Sequence, residues 1–133
     1  MPTTTVHFAV KAWDEKPYNE APGELKLTRS HNVYVYEGDL EGESVCEYLM
    51  TYREDGTGSF VGQERIVGRL GGRSGSFVLE HRGTFDKTSV TDAFIILPDT
   101  GTGELRGLRG EGSLALGGHA ERYPMILTYA FAS

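Results

Sequence analysis

The chain has one cysteine, one tryptophan, no long apolar run and a deficit of positive charge. A single thiol, Cys46, excludes an internal disulfide, and without a second thiol beside it a zinc knuckle is excluded too. The longest apolar run, at Phe94-Ile-Ile-Leu97, is far too short to cross a bilayer as a helix. Met1-Pro-Thr-Thr-Thr lacks the basic and apolar regions of a signal peptide, so the expected location is the cytoplasm. With 19 acidic against 13 basic residues the net charge is -6, and the arginines stand singly along the chain. Nucleic acid and anionic membrane are poor partners for such a surface. His7, His31 and His119 show no metal-ligand spacing with one another or with a carboxylate, so neither a metal nor another cofactor is expected.

What the chain does have is glycine, 18 residues of it in 133, and period-2 alternation from end to end with no convincing 3.6-residue period. Its length suits one domain, able to bury about two thirds of the unfolded surface. The alternation predicts eight strands: Thr4–Trp13, Lys26–Tyr36, Glu43–Arg53, Ser59–Leu70, Arg73–Phe85, Ser89–Leu97, Arg109–Leu116 and Arg122–Phe131. Eight antiparallel strands suit a closed barrel, and closure accounts for glycines inside strands, where a small barrel must bend or let opposed side chains pass. The two prolines of Glu15-Lys-Pro-Tyr-Asn-Glu-Ala-Pro-Gly23 mark an expected loop crossing one end of the barrel.

Gly71-Gly72 reads as a two-residue hairpin turn, which makes paired positions sum to 143. Glu64 then lies opposite Leu79 and diagonal to His81, within reach for a shared hydrogen bond or water. Their face carries Phe60, Gly62, Glu64, Ile66, Gly68 and Leu70 on one strand, and Gly75, Phe77, Leu79, His81, Gly83 and Phe85 on the other. The opposite face is polar apart from Val61, Val67 and Val78, an interruption that points to a homo-oligomer. Glu64 is either a buried carboxylate satisfied by neighbouring donors or a lumen acid. Desolvation favours its protonated form, and a charged His81 beside it restores the carboxylate. A two-residue Asp55-Gly56 turn places Glu47 across from Glu64; a three-residue loop with a bulge places Tyr48 there. Cys46, Tyr48, Met50 and Tyr52 form the more apolar face of their strand, which favours the second. Tyr34, Tyr36, Tyr123 and Tyr129 read as barrel filling with polar tips seeking partners.

The segment Pro98–Gly112 is glycine-rich but has no phosphate-loop spacing and leads into no helix, so it is not a phosphate cradle. Arg106 and Arg109 are expected to cap it by bonding its carbonyls. Its Gly101-Thr-Gly-Glu-Leu-Arg-Gly-Leu-Arg-Gly110 stretch resembles the glycine-threonine-glycine and arginine-glycine signature of plant dirigent proteins and, more loosely, of allene oxide cyclases. Over nearly its whole length the chain resembles the bacterial domain of unknown function family 3224. The resemblance is carried by Ala12-Trp-Asp-Glu-Lys-Pro-Tyr18, Gly38-Asp-Leu-Glu-Gly-Glu-Ser44, Phe60-Val-Gly-Gln-Glu-Arg65, Gly71-Gly-Arg-Ser-Gly-Ser-Phe77, Gly101–Gly112 and His119-Ala-Glu-Arg-Tyr-Pro124. It implies an allene oxide cyclase-like, calycin-type barrel around an apolar lumen, often in oligomers.

Two functions fit this reading. In the first, the lumen takes a small apolar molecule, which Phe60, Ile66, Phe77, Leu79, Phe85, Tyr52 and Met50 would contact. In the second, the lumen holds a substrate for cofactor-independent cyclisation or isomerisation, with Glu64, His81 or Tyr48 moving one proton. Full interdigitation of the lumen side chains would exclude both.

Overall fold

The structure, a computed structural model, describes residues 2–118 and 120–132; His119 lies outside the described residues. Eight strands, β1 (Thr3–Asn19), β2 (Lys26–Glu37), β3 (Leu40–Tyr52), β4 (Gly58–Leu70), β5 (Arg73–Phe85), β6 (Val90–Ile96), β7 (Leu108–Leu116) and β8 (Tyr123–Phe131), close in sequence order into an antiparallel barrel. Among the described residues, one 3-10 turn, Gly103–Leu105, is the helical content. No described helix is long and apolar enough to cross a membrane. The β4–β5 hairpin turns at Gly71-Gly72 with φ of 57° and 82°, the two positive values that a type I′ turn needs and glycine supplies without strain.

The barrel is packed at one end and open at the other. At the packed end Val6, Leu40, Ile66, Leu70, Phe77, Leu79, Ile96, Leu105, Leu108 and Leu127 are all but inaccessible. The Gly101–Gly107 loop plugs this end, holding Leu105 in the core through the Thr102 hydroxyl, which bonds the Ser76 amide and hydroxyl at 3.0 and 2.7 Å. Arg106 and Arg109 are exposed there, and among the described residues neither guanidinium caps a loop carbonyl. Side chains already anchor the loop: Thr100 bonds the Leu97 carbonyl and the Val78 amide, and Glu104 accepts from the Ser74 amide.

Of the expected crossing loop Glu15–Gly23, the part up to Asn19 is instead strand, and the turn follows it. Glu15, Lys16 and Pro17 continue β1 against Ser30, Arg29 and Thr28 of β2. The proline is tolerated because β1 pairs with β8 over Thr3–Phe8 alone, so the far half of β1 has one unpaired edge where a missing N–H costs no ladder bond. A bulge between Val10 and Ala12 shifts the register of β1, so that Phe8 and Val10 before it, and Trp13 and Glu15 after it, all border the open end.

Glycines decide how the open half is filled. Tyr48 stands opposite Gly62, Phe60 opposite Gly83, Phe94 opposite Gly112 and Phe85 opposite Gly58. Each ring lies against the sheet in the space that a Cβ would take; a methyl group at Gly62 would come within 2.4 Å of the Tyr48 ring and 2.3 Å of the Glu47 carbonyl oxygen. We therefore expect Gly62→Ala to lower stability by about 1–3 kcal/mol through overpacking. Urea unfolding would measure the loss, and near-UV circular dichroism would register the displaced tyrosine.

Candidate functional site

Midway down the barrel, side chains of β2 to β6 meet in a buried polar cluster. Glu64 on β4 and His81 on β5 are inside, fixed in the diagonal relation that Glu64 opposite Leu79 imposes. His81 Nε2 bonds Glu64 Oε1 at 2.7 Å, and His81 Nδ1 bonds Asp92 Oδ2 at 2.6 Å. Asp92, on β6 opposite Gly83, has the same diagonal relation to His81 that Glu64 has from the other side. The second Glu64 oxygen accepts from the Ser44 hydroxyl at 2.6 Å and from the Tyr36 hydroxyl. All five side chains are buried.

A histidine whose two ring nitrogens both face carboxylate oxygens satisfies both as the imidazolium, the one form in which each nitrogen donates. Burial alone would push its pKa down. The hydrogen bonds to Asp92 and Glu64, and their charges, outweigh that and raise it to about 9. Tyr48 and Phe94 flank the ring, with centroids 5.6 and 5.3 Å away. Burial holds the hydroxyls of Tyr36 and Tyr48 well above the ordinary phenol range, so both keep their protons, and Tyr36 donates its own to Glu64.

The register of β3 differs from both readings of the sequence. Cys46, not Glu47 or Tyr48, stands opposite Glu64, while Tyr48 stands opposite Gly62. The β3–β4 connection runs over Arg53–Thr57, closed by the Arg53 amide bonding the Thr57 carbonyl and by an Asp55 turn that accepts from the Thr57 amide. It centres on Asp55, ahead of both turns considered, and that shift slides β3 along β4. Tyr48 therefore packs on His81 and is not a partner of Glu64. The slide also brings Cys46, Glu64 and His81 donor atoms within 4.8 Å of one another, a group with the residue types to hold a metal ion. These donors are already engaged, Glu64 by His81, Tyr36 and Ser44. Burial and the Glu64 charge hold the Cys46 thiol up. A cation here would have to part His81 from Glu64.

Above the cluster a cavity of about 800 Å³ opens at the end formed by the β5–β6 and β7–β8 turns. Phe60, Phe85, Tyr52, Met50 and Tyr48 line it, as do Tyr34, Trp13 and Tyr123. Ile66, Phe77 and Leu79 do not, because they lie in the packed half. Glu64 and His81 do not reach it either; Asp92 is the member of the triad in the cavity wall. Its Oδ1 is buried without a hydrogen-bond partner. Asn32 Oδ1 is also unpartnered, while its amide nitrogen donates to the Ser30 and Tyr34 hydroxyls at 3.2 and 3.4 Å.

Asp92, Tyr36 and Ser44 were missed in the sequence as site residues. The signal for Asp92 was an acid on the alternating face Val90, Asp92, Phe94, Ile96, the same signal that singled out Glu64.

Residues 4–129 match the family described as "Protein of unknown function (DUF3224)". The chain belongs to this family. It is also similar to a solved structure, a protein with unknown function from the same family from Shewanella oneidensis MR-1, with 28% identity, a TM-score of 0.81, and coverage of 100% of this chain and 99% of that one. No curated protein matches the chain significantly.

The His81 geometry carries a sign for stability. Its folded pKa of about 9 exceeds the ordinary 6.5, so its contribution is fully present below pH 6.5 and is lost as pH rises through 9. We expect unfolding free energy to fall across that window by an amount on the order of 3 kcal/mol. His81→Gln should be less stable and lack this slope; urea titrations at a series of pH values check both.

Proposed function

We propose that the barrel binds a small, largely apolar molecule in its open half, as a carrier or orienting protein. The cavity of about 800 Å³ carries this reading, since its size and its largely apolar lining, rich in aromatic residues, are those of small-molecule sites. The packed half is the counterweight: Phe77, Ile66 and Leu79 hold the sheet closed while the glycine-seated aromatics leave the other half unfilled. The gap between the far half of β1 and the β7–β8 turn, bordered by Trp13, Glu15, Leu116 and Tyr123, is the natural entrance. The lone, buried Cys46 suits a cytoplasmic setting, and the net charge of -6 argues for neither nucleic acid nor membrane as partner.

A second reading is favoured by the triad at the cavity floor: cofactor-independent cyclisation or isomerisation of the bound molecule. Asp92 Oδ1 would take a proton from the substrate and return it elsewhere, with His81 holding the carboxylate and Glu64 holding His81. The likeness of the Gly101–Gly110 loop to dirigent proteins and allene oxide cyclases lends this reading little, because that loop plugs the opposite end of the barrel. Self-association is a further part of the proposal: Val35, Val45, Leu49, Val61 and Val67 are exposed on β2 to β4, beside an outer groove of about 600 Å³.

Native mass spectrometry of protein isolated without denaturation tests the first reading. We expect a retained or added small apolar ligand to bind one per barrel, and Leu116→Trp, which narrows the entrance, to weaken it by roughly tenfold, about 1.4 kcal/mol. Equal binding by the variant would place the ligand elsewhere. For the second reading, Glu64→Gln should keep the fold and abolish turnover of any substrate found.

A further inference from the structure

Charge is unevenly distributed around the cavity. Its wall includes four acidic residues, Glu15, Asp86, Asp92 and Glu121, and one basic residue, Lys87. Lys87 belongs to the rim, where its side chain lies against Gly56 of the β3–β4 connection. The Asp86 carboxylate closes its own turn by accepting from the Thr88 and Ser89 amides, each at 2.8 Å. Glu15 accepts from Thr28 at 2.6 Å, from Trp13 at 3.0 Å and from Tyr52. Desolvation raises its pKa, but these bonds outweigh it and hold the carboxyl below its ordinary value, so it is charged at neutral pH.

Asp92 differs from the other three. It lines the cavity yet is only 2% exposed; one oxygen is committed to His81, and the other is buried without a hydrogen-bond partner. Two carboxylates share one imidazolium, which leaves the cluster with a net negative charge in a low-dielectric interior. Among the described residues its only ion pairs are those two with His81. A buried carboxylate oxygen without a donor costs free energy that a ligand donor would recover, and a charged donor recovers most. The aromatic faces around it add to that preference. Tyr34 and Tyr48 line the cavity, with Phe8 tilted against the first at 5.2 Å and Phe60 edge-on to the second at 5.1 Å between centroids, and aromatic rings can attract a cation through their faces.

We propose that the ligand is an organic cation: an ammonium seated against Asp92 Oδ1, carried on an apolar body that fills the aromatic upper cavity. The assignment rests on the reading of the barrel as a small-molecule binder and narrows it to a chemical class. A neutral alcohol would satisfy Asp92 Oδ1 with one hydrogen bond but leave the net charge of the cluster uncompensated.

The pair 4-phenylbutylamine and 4-phenylbutanol tests this at neutral pH, with the fluorescence of Trp13, the only tryptophan, as reporter and calorimetry as confirmation. We expect the amine to bind roughly tenfold or more tighter than the alcohol. Asp92→Asn should erase the preference while leaving the alcohol affinity near its original value. If that variant does not fold, nuclear Overhauser contacts from the methylene next to nitrogen to the Asp92 Hβ protons of the unaltered protein decide where the ammonium sits; their presence supports the assignment, and contacts confined to rim residues overturn it. Equal affinities, or preference for the alcohol, would overturn the cation assignment and leave the binding reading standing. Binding of neither compound at millimolar concentration would overturn both.

Discussion

An imidazolium held between two buried carboxylates requires three adjacent strands to be in one register, and much of the barrel's interior follows from that requirement. Glu64, His81 and Asp92 come from β4, β5 and β6, each diagonal to the next, so a two-residue slip in either pairing would separate them. The hydroxyls of Tyr36 and Ser44 extend the network to β2 and β3. Five strands thus meet at one cluster, in a region where each unsatisfied polar atom is costly. The one carboxylate oxygen left over, Oδ1, belongs to Asp92, the member of the triad that lines the cavity.

The cluster marks a boundary inside the barrel. Below it, aliphatic side chains and Phe77 fill the lumen as any eight-stranded barrel of this diameter can be filled. Above it, aromatic rings reach over glycines of the neighbouring strand into the space a Cβ would take. The departure of β1 from β8 after Phe8 leaves the upper rim unclosed on one side. Packing, close approach and incomplete closure together turn a closed barrel into a cup whose floor is charged.

Much of this was legible in the residues. Alternation placed all eight strands, and the parity of one glycine turn placed Glu64 and His81 on the inner face in their correct relation. Parity along a strand is a local property, so it survives ignorance of the rest. Register between strands is not local. The β3–β4 loop closes through an Asp55 side-chain turn that the Asp-Gly dipeptide alone does not specify, and the guess for Tyr48 failed by that margin. Asp92 escaped because the β5–β6 turn, Asp86–Ser89, is built from hydrogen bonds to the Asp86 carboxylate and contains no glycine. No pairing rule therefore linked β6 to His81. Pro17 misled in a similar way, since its tolerance depends on an unpaired edge that only the closed barrel reveals.

The charged state of His81 is the central claim, because the net charge of the cavity floor depends on it. Nitrogen-15 spectra of the His81 ring, recorded from pH 6 to 10, test it most directly. The account predicts that both ring nitrogens stay protonated through neutral pH and that the proton is lost near pH 9. A ring that titrates near the ordinary 6.5, or is neutral throughout, would contradict it.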